Sequence, residues 1–481
     1  MTKTLLTVAH KEFRETIRDG RLRTGAIIVL ALLTTSLAVG WQQFRESSAE
    51  RDAARRSVRE QWLDQAPKNP HTAAHYGMYA FKPSTPLSMA DSGVDRYTGV
   101  ALFLEPHKQN DFRFRPAQDA TPLERFGQLT AAITLEVLVP LLIVMLTFAS
   151  FAGELEEGTM RQILSTGVRA RDLAWGKLLG SGAALAILLL PAAALGAGAL
   201  ALVGAAGTPT TIPWQDTTVR AICIAVAFTL YFAALTGISL AVSAMVRSSR
   251  VALVILLACW VGNCLMGPRA CADIAARLHP AGSAFERFTD VNREIREGPD
   301  GHNPNDPRWD ERKRELLVRY HAKNLNDLPI NFDGIALVEA EKFTSETYAR
   351  HVAQLQNVYK TQERFYQDCG LVVPMLAVQT LSMGLSGTDF AEQRDLAAAA
   401  EKYRKNMAIQ MNSYLIDHSR RGDLSFVAGP DLWKTLPDFE YTMPPAGQVL
   451  RNDSRSIAVL FAWCVAGLLL AAWASARIKP V

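Results

Sequence analysis

Six stretches of at least 18 residues carry no charged residue, or one: 24–41, 129–151, 178–204, 219–246, 251–268 and 457–476. A helix of about 20 apolar residues spans the roughly 30 Å of bilayer hydrocarbon, so each stretch reads as a membrane span. The first, TGAIIVLALLTTSLAVGW, also follows a basic segment, as the apolar core of a signal peptide does. Its length and the lack of a small-x-small cleavage site favour a retained helix. An even number of spans puts both termini on one side.

Lys and Arg in the short connections set the direction. Segments 1–23, 152–177, 247–250 and 477–481 hold 14 basic residues, whereas 205–218 holds none. The positive-inside rule then places both termini in the cytoplasm and the long segments 42–126 and 269–455 outside. Those two segments contain 36 basic and 38 acidic residues, the balance of a solvated surface. The mean hydropathy of +0.05 is therefore an average over two unlike populations. An apolar fraction of 49% excludes a disordered chain, and six Cys in 481 residues exclude a disulfide-stapled miniature. Stretch 371–385 is apolar but only 15 residues long, with Pro374 and Gln379. It reads as a buried or membrane-surface element of the outer domain, since a seventh span would export Arg477 and Lys479.

The soluble segments read as mainly helical. Leu5, Ala9, Phe13 and Ile17 form an apolar stripe with Lys3, Lys11, Arg14 and Arg18 off it, an amphipathic helix at the inner interface. Residues 44–64 lack Pro and Gly, so the first span continues outward. Asp306-Pro307 opens a helix expected to reach about Leu325, and 344–368 and 388–420 are further long helices. Residues 77–120 suggest loops and short strands, and 298–307 and 437–447 are turn-rich connectors. The fold expected is mainly α: a six-helix transmembrane bundle with a large, mostly helical extracytoplasmic domain built from two insertions, about 270 residues with its own core.

Between the second and third spans runs GELEEGTMRQILSTGVRARDLAWGKL, residues 153–178. It combines an acidic helix start, a short amphipathic helix, a Gly-containing turn and a second helix entering the next span. This resembles the intracellular loop of ABC-2-type transporter permeases, with an E-x-E-x-G-T start and a Gly-Lys end. The amphipathic N-terminal helix and six-span layout are also similar to that family, specifically to its subgroup with a large split external domain. The resemblance implies that Glu154, Glu156, Gly158, Thr159, Arg161 and Lys177 face a partner ATPase as transmitters rather than catalysts. It also implies a bacterial inner-membrane permease paired with an ABC ATPase subunit and a second permease copy or homologous permease, moving an unidentified substrate, with export the expected direction. Acids capping a helix dipole in a solvated loop have the same local physics.

Other chemistry is sparse. Gly176-Lys177 is followed by Leu178, and Arg171 stands where a phosphate-binding loop needs its first Gly, so no nucleotide cradle exists. ATP and Mg²⁺ are expected on the partner, with no cofactor bound directly and no nucleic acid involved. His71 and His75 follow Asn69-Pro70 and share a helical face, but Thr72 holds the place of the general base of H-E-x-x-H. With His107 or Glu105 they are candidate metal ligands, short of a closed set; polar packing is the plainer reading. Glu136, about seven residues into the second span, faces either a path within the bundle or the outer interface. Pro140 and Pro191 are candidate bends, and Cys271 and Cys369 a candidate external pair. Two rivals stand beside a transporter: an ATP-driven protein whose external domain acts on a periplasmic partner, and a membrane-bound enzyme working through His71 and His75.

Overall fold

The computed structural model describes residues 2–119, 129–207, 212–423 and 425–478. The end of the first insertion, 120–126, and Lys479 lie outside that set. Helix α1 (Thr2–Arg18) stops at Asp19, whose carboxylate accepts from Arg21 N and starts α2 (Gly20–Leu63), one unbroken helix. Asn69 caps α3 (Pro70–Tyr76), with Pro at its first turn. Strands β1 (Met78–Phe81), β2 (Ala101–Glu105) and β3 (Lys108–Gln109) form an antiparallel sheet in that order, with Met78 opposite Leu104 and Glu105 opposite Lys108. Then come α4 (Ala131–Glu156), α5 (Thr159–Ser165), α6 (Ala170–Ala205), α7 (Trp214–Met245) and α8 (Ser249–Leu278). A helix at Ala284–Glu297 follows, and then come α9 (Asp310–Arg319), α10 (Phe332–Asp368), α11 (Pro374–Ser386), α12 (Phe390–His418) and α13 (Ser454–Ala476).

Among the described residues six helices, α2, α4, α6, α7, α8 and α13, are long and apolar enough to cross a membrane. Their bundle closes most tightly where α7 crosses α13. A Cβ built on Gly237 would lie 2.5 Å from the Gly467 carbonyl carbon, so only paired glycines allow this approach. In the bundle core Ile143, Leu188, Tyr231 and Leu460 are fully buried.

Two of the spanning helices widen into π-turns, α4 at Thr134–Leu138 and α8 at Gly262–Met266, and the two turns meet. Pro140 has no N–H to offer the carbonyl of Glu136 four residues back. That carbonyl instead accepts from the Tyr231 hydroxyl at 3.3 Å, and its neighbour on Val137 accepts from Trp260 Nε1 at 2.9 Å. Asn263, in the second π-turn, donates to Tyr231 Oη at 2.8 Å and accepts from Met375 N at 3.1 Å. Polar groups freed by irregular backbone are thus satisfied inside protein, where such backbone is tolerated at membrane depth.

Outside the bundle, the two long insertions share one core. Trp62, at the tip of α2, donates to the Trp433 carbonyl at 3.0 Å, and Trp433 returns a bond to the Gln65 carbonyl at 3.2 Å. Ala73, Ala74 and Met78 pack with Met407 and Met411 in the same cluster. Helix α11, which covers most of 371–385, has Leu376, Ala377, Val378 and Leu381 buried in the core that the spans share. Buried Arg220 on α7 donates to the Leu385 carbonyl at 3.1 Å and pairs with Asp216 at 2.7 Å. Domain and bundle are therefore one packed body at this seam.

Four local expectations are corrected. The helix opened at Asp306 begins as a 3₁₀ turn and ends at Arg319, not Leu325. His321, with φ +50°, reverses the chain and lets Ala322 N bond the Leu317 carbonyl at 3.0 Å. The helix expected from Thr344 starts at Phe332 because Asn331 caps it, Gly334 being carried inside against Ile416. Ile17 is exposed; the innermost positions of α1 include Glu12 and Thr16. Cys271 and Cys369 pack in the same apolar cluster, and both are free thiols.

Candidate functional site

The loop between α4 and α6 is built around one buried cation. Where α4 loosens at 148–151, the Ser243 hydroxyl accepts from Phe151 N and Ala152 N, each at 3.0 Å, and donates to the Phe148 carbonyl at 2.8 Å. This turn points the Ser150 carbonyl at Lys177 Nζ, 2.7 Å away. Lys177, 2% exposed, also reaches Glu12 Oε2 at 3.0 Å and Glu154 Oε1 at 3.1 Å. Glu12 accepts from Ser150 Oγ at 2.8 Å, and Glu154 takes a second cation, Lys11, at 3.0 Å. Helix α1 lies close on α6, with Val8 against Gly176 and Ala9 against Gly180. A buried charge is tolerated only when paired and hydrogen-bonded, and Lys177 is both.

The other residues of the loop motif divide into two groups. Glu156 accepts from Ser249 N at 2.9 Å, so it caps the start of α8, and that bond holds its carboxyl below the usual range. Thr159 donates to the Glu154 carbonyl at 3.3 Å. Gly158, at φ +74°, makes the left-handed turn that starts α5, with open space where a Cβ would stand. Glu156, Glu157, Gly158, Arg161, Gln162 and Ser165 are exposed, while Met160 is buried beneath them against the bundle end. Glu154, Glu156, Thr159 and Lys177 therefore fix the loop, and Gly158 and Arg161 lie on its outer face. Sequence reasoning missed Glu12, whose signal was a carboxylate between Ala9 and Phe13 on the apolar side of α1.

Glu136 is 1% exposed, enclosed by protein. Its carboxylate borders a cavity of about 120 Å³ shared with Asp91, Thr130 and Gln379, and Oε1 has no hydrogen-bond partner. A larger cavity, about 640 Å³, lies between α2, α6 and α7 and is lined by Leu37, Met89, Leu200, Trp214 and Phe228.

His71, His75 and His107 converge in the domain, joined by His302, which sequence reasoning missed. His71 Nε2 lies 3.1 Å from His75 Nε2, 3.1 Å from His302 Nε2 and 3.4 Å from His107 Nε2. Glu105 is not among the four. Burial, and then the neighbouring imidazoles, push His71 down to about 3, keeping it neutral.

None of the curated proteins matches this chain. Residues 287–442 match the model of a domain of unknown function, DUF3526. Residues 6–286, which carry α1, five of the six spans and the loop, match the model described as ABC-2 family transporter protein. With more than half its length inside that model, this multi-pass membrane protein belongs to the ABC-2 transporter family as a membrane subunit.

Proposed function

We propose that the chain is the permease of a bacterial inner-membrane ABC exporter, with both termini cytoplasmic and ATP and Mg²⁺ bound by a separate ATPase subunit. A second permease copy or a homologous permease completes the membrane unit. The observation that carries this reading is the Lys177 cluster: one cation ties α1, the end of α4 and the start of α6, while Glu156 holds α8. A push on the outer face of α5, the coupling helix in this reading, then reaches three spans and the interfacial helix together. Gly158 and Arg161 sit where a docking ATPase would touch them. The 640 Å³ cavity between α2, α6 and α7, apolar on nearly every side, suits an apolar or amphiphilic substrate entering from the lipid.

Co-expression with the natural ATPase tests this. Arg161→Glu and Gly158→Val are expected to abolish permease-stimulated ATP turnover while the permease stays folded. Unchanged turnover in both would sink the assignment.

A second reading rests on the seam between domain and bundle. Arg220, Asn263 and Trp463 on the spans all bond backbone of 370–385 or its neighbours. ATP-driven motion of the spans would then move the domain against a periplasmic partner. Crosslinking across this seam separates the readings: transport that survives a locked seam favours the exporter.

A further inference from the structure

We infer that His71, His75, His107 and His302 form a tetrahedral Zn²⁺ site that fastens the second insertion to the first. The four rings come from α3, the turn after β2, and the connector 298–307, so they bring together segments 231 residues apart. Each offers one ring nitrogen, and the four atoms lie within 4.8 Å of one another.

The proton inventory makes this more than a polar cluster. His71 Nδ1 lies 2.9 Å from Asn412 Oδ1 and His107 Nδ1 lies 2.8 Å from Glu341 Oε2. With the ring N–H donated to those oxygens, both Nε2 atoms present lone pairs, and they face each other at 3.4 Å. The single lone pair of His71 also meets His75 and His302 at 3.1 Å. Hydrogen bonds satisfy one such contact at most, whereas a cation at the centre satisfies all four. Orienting each ligating imidazole through its other nitrogen is also how metal sites fix the tautomer.

Distances choose the metal. For Zn–N bonds of 2.0–2.1 Å a tetrahedron has N···N edges of about 3.3 Å. A square plane gives each nitrogen two neighbours near 2.8 Å and one beyond about 4 Å. His71 has all three neighbours at 3.1–3.4 Å, the tetrahedral pattern. Four imidazoles without a thiolate and a tetrahedral frame together favour Zn²⁺ over Cu²⁺ or Ni²⁺. The frame is prepared on one side and adaptable on the other. His71 is buried, and His107, at φ +63°, is held twice by Glu341, through its backbone N at 2.7 Å and its ring. Glu341 is itself anchored by buried Arg404 at 2.7 Å. His302 is exposed on its loop and free to close the remaining edges.

The test uses the full chain in detergent, stripped with chelator and titrated with Zn²⁺ and Co²⁺. About one Zn²⁺ per chain is expected, with the intense visible bands of tetrahedral Co²⁺ and a rise in the thermal midpoint on Zn²⁺ addition. His302→Ala, an exposed change that preserves folding, should weaken Zn²⁺ binding at least tenfold. Glu341→Gln should weaken it by about 10-fold to 100-fold while the Co²⁺ spectrum stays tetrahedral. A folded chain that binds no Zn²⁺ at micromolar concentration, an octahedral Co²⁺ spectrum, or unchanged affinity in His302→Ala would each overturn the site.

Discussion

Lys177 Nζ lies 3.0 Å from Glu12 Oε2, 165 residues earlier in the chain, and neither side chain is more than 8% exposed. The pair joins the first helix to the third span. Removing the cation leaves Glu12 and Glu154 facing each other in a buried site. Lys177→Met should therefore destabilise by about 3–5 kcal/mol. Lys177→Met combined with Glu12→Gln should recover part of that loss, read as thermal midpoints in detergent. A double variant no better than the single would mean that packing, not charge, holds α1.

Gly467 tests the tightest crossing in the bundle. Its Cβ would fall 2.5 Å from the Ala234 carbonyl oxygen, which is backbone and has no rotamer to yield. Gly467→Val should cost more than about 2 kcal/mol by forcing α7 and α13 apart. An unchanged midpoint would show that the crossing is looser than described.

Asn263 links three elements through two side-chain bonds, to Tyr231 and to the backbone of Met375. Asn263→Leu leaves the Met375 N–H buried without its acceptor, at a cost of about 1–3 kcal/mol. Hydrogen exchange should quicken in α11 before it quickens in α12. Uniform quickening throughout the domain would argue against a local link.

Glu392 gives the domain a pH dependence. Burial pushes its carboxyl up to about 7, against the pull of Tyr441 and Lys82, and Asp389 and Asp395 push the same way as burial. The folded chain therefore holds a proton that the unfolded chain has released, so this site loses stability as pH rises from about 4.5 to 7. Glu392→Gln should raise the thermal midpoint at pH 8 and leave it nearly unchanged at pH 4. Equal gains at both values would contradict the linkage.

Much of this was legible because hydrocarbon forbids charge. The six spans stand out as windows with one charge at most, and α2 runs on as one unbroken helix through 44–63, a stretch without Pro or Gly. The loop's elements follow from its acids and glycines. What sequence could not supply was convergence. His302 sits in a turn-rich connector with nothing local to relate it to His71, and only the fold brings them to 3.1 Å. Glu12 looked like an ordinary surface acid because its partner, Lys177, lies beyond two spans. The π-turns at Glu136 and Asn263 are likewise tertiary: Pro140 frees a carbonyl, but Tyr231 decides where it goes.

Helix α2 has a mechanical meaning beyond crossing the membrane. Its 44 residues, without a proline, measure about 66 Å from Gly20 to the docked tip near Trp62. For a rigid rod of that length, a tilt of 10° about its base would sweep the tip through roughly 11 Å. A small displacement at the Lys177 cluster would thus become a stroke of molecular dimensions at the far end, where Trp62 and Trp433 grip each other.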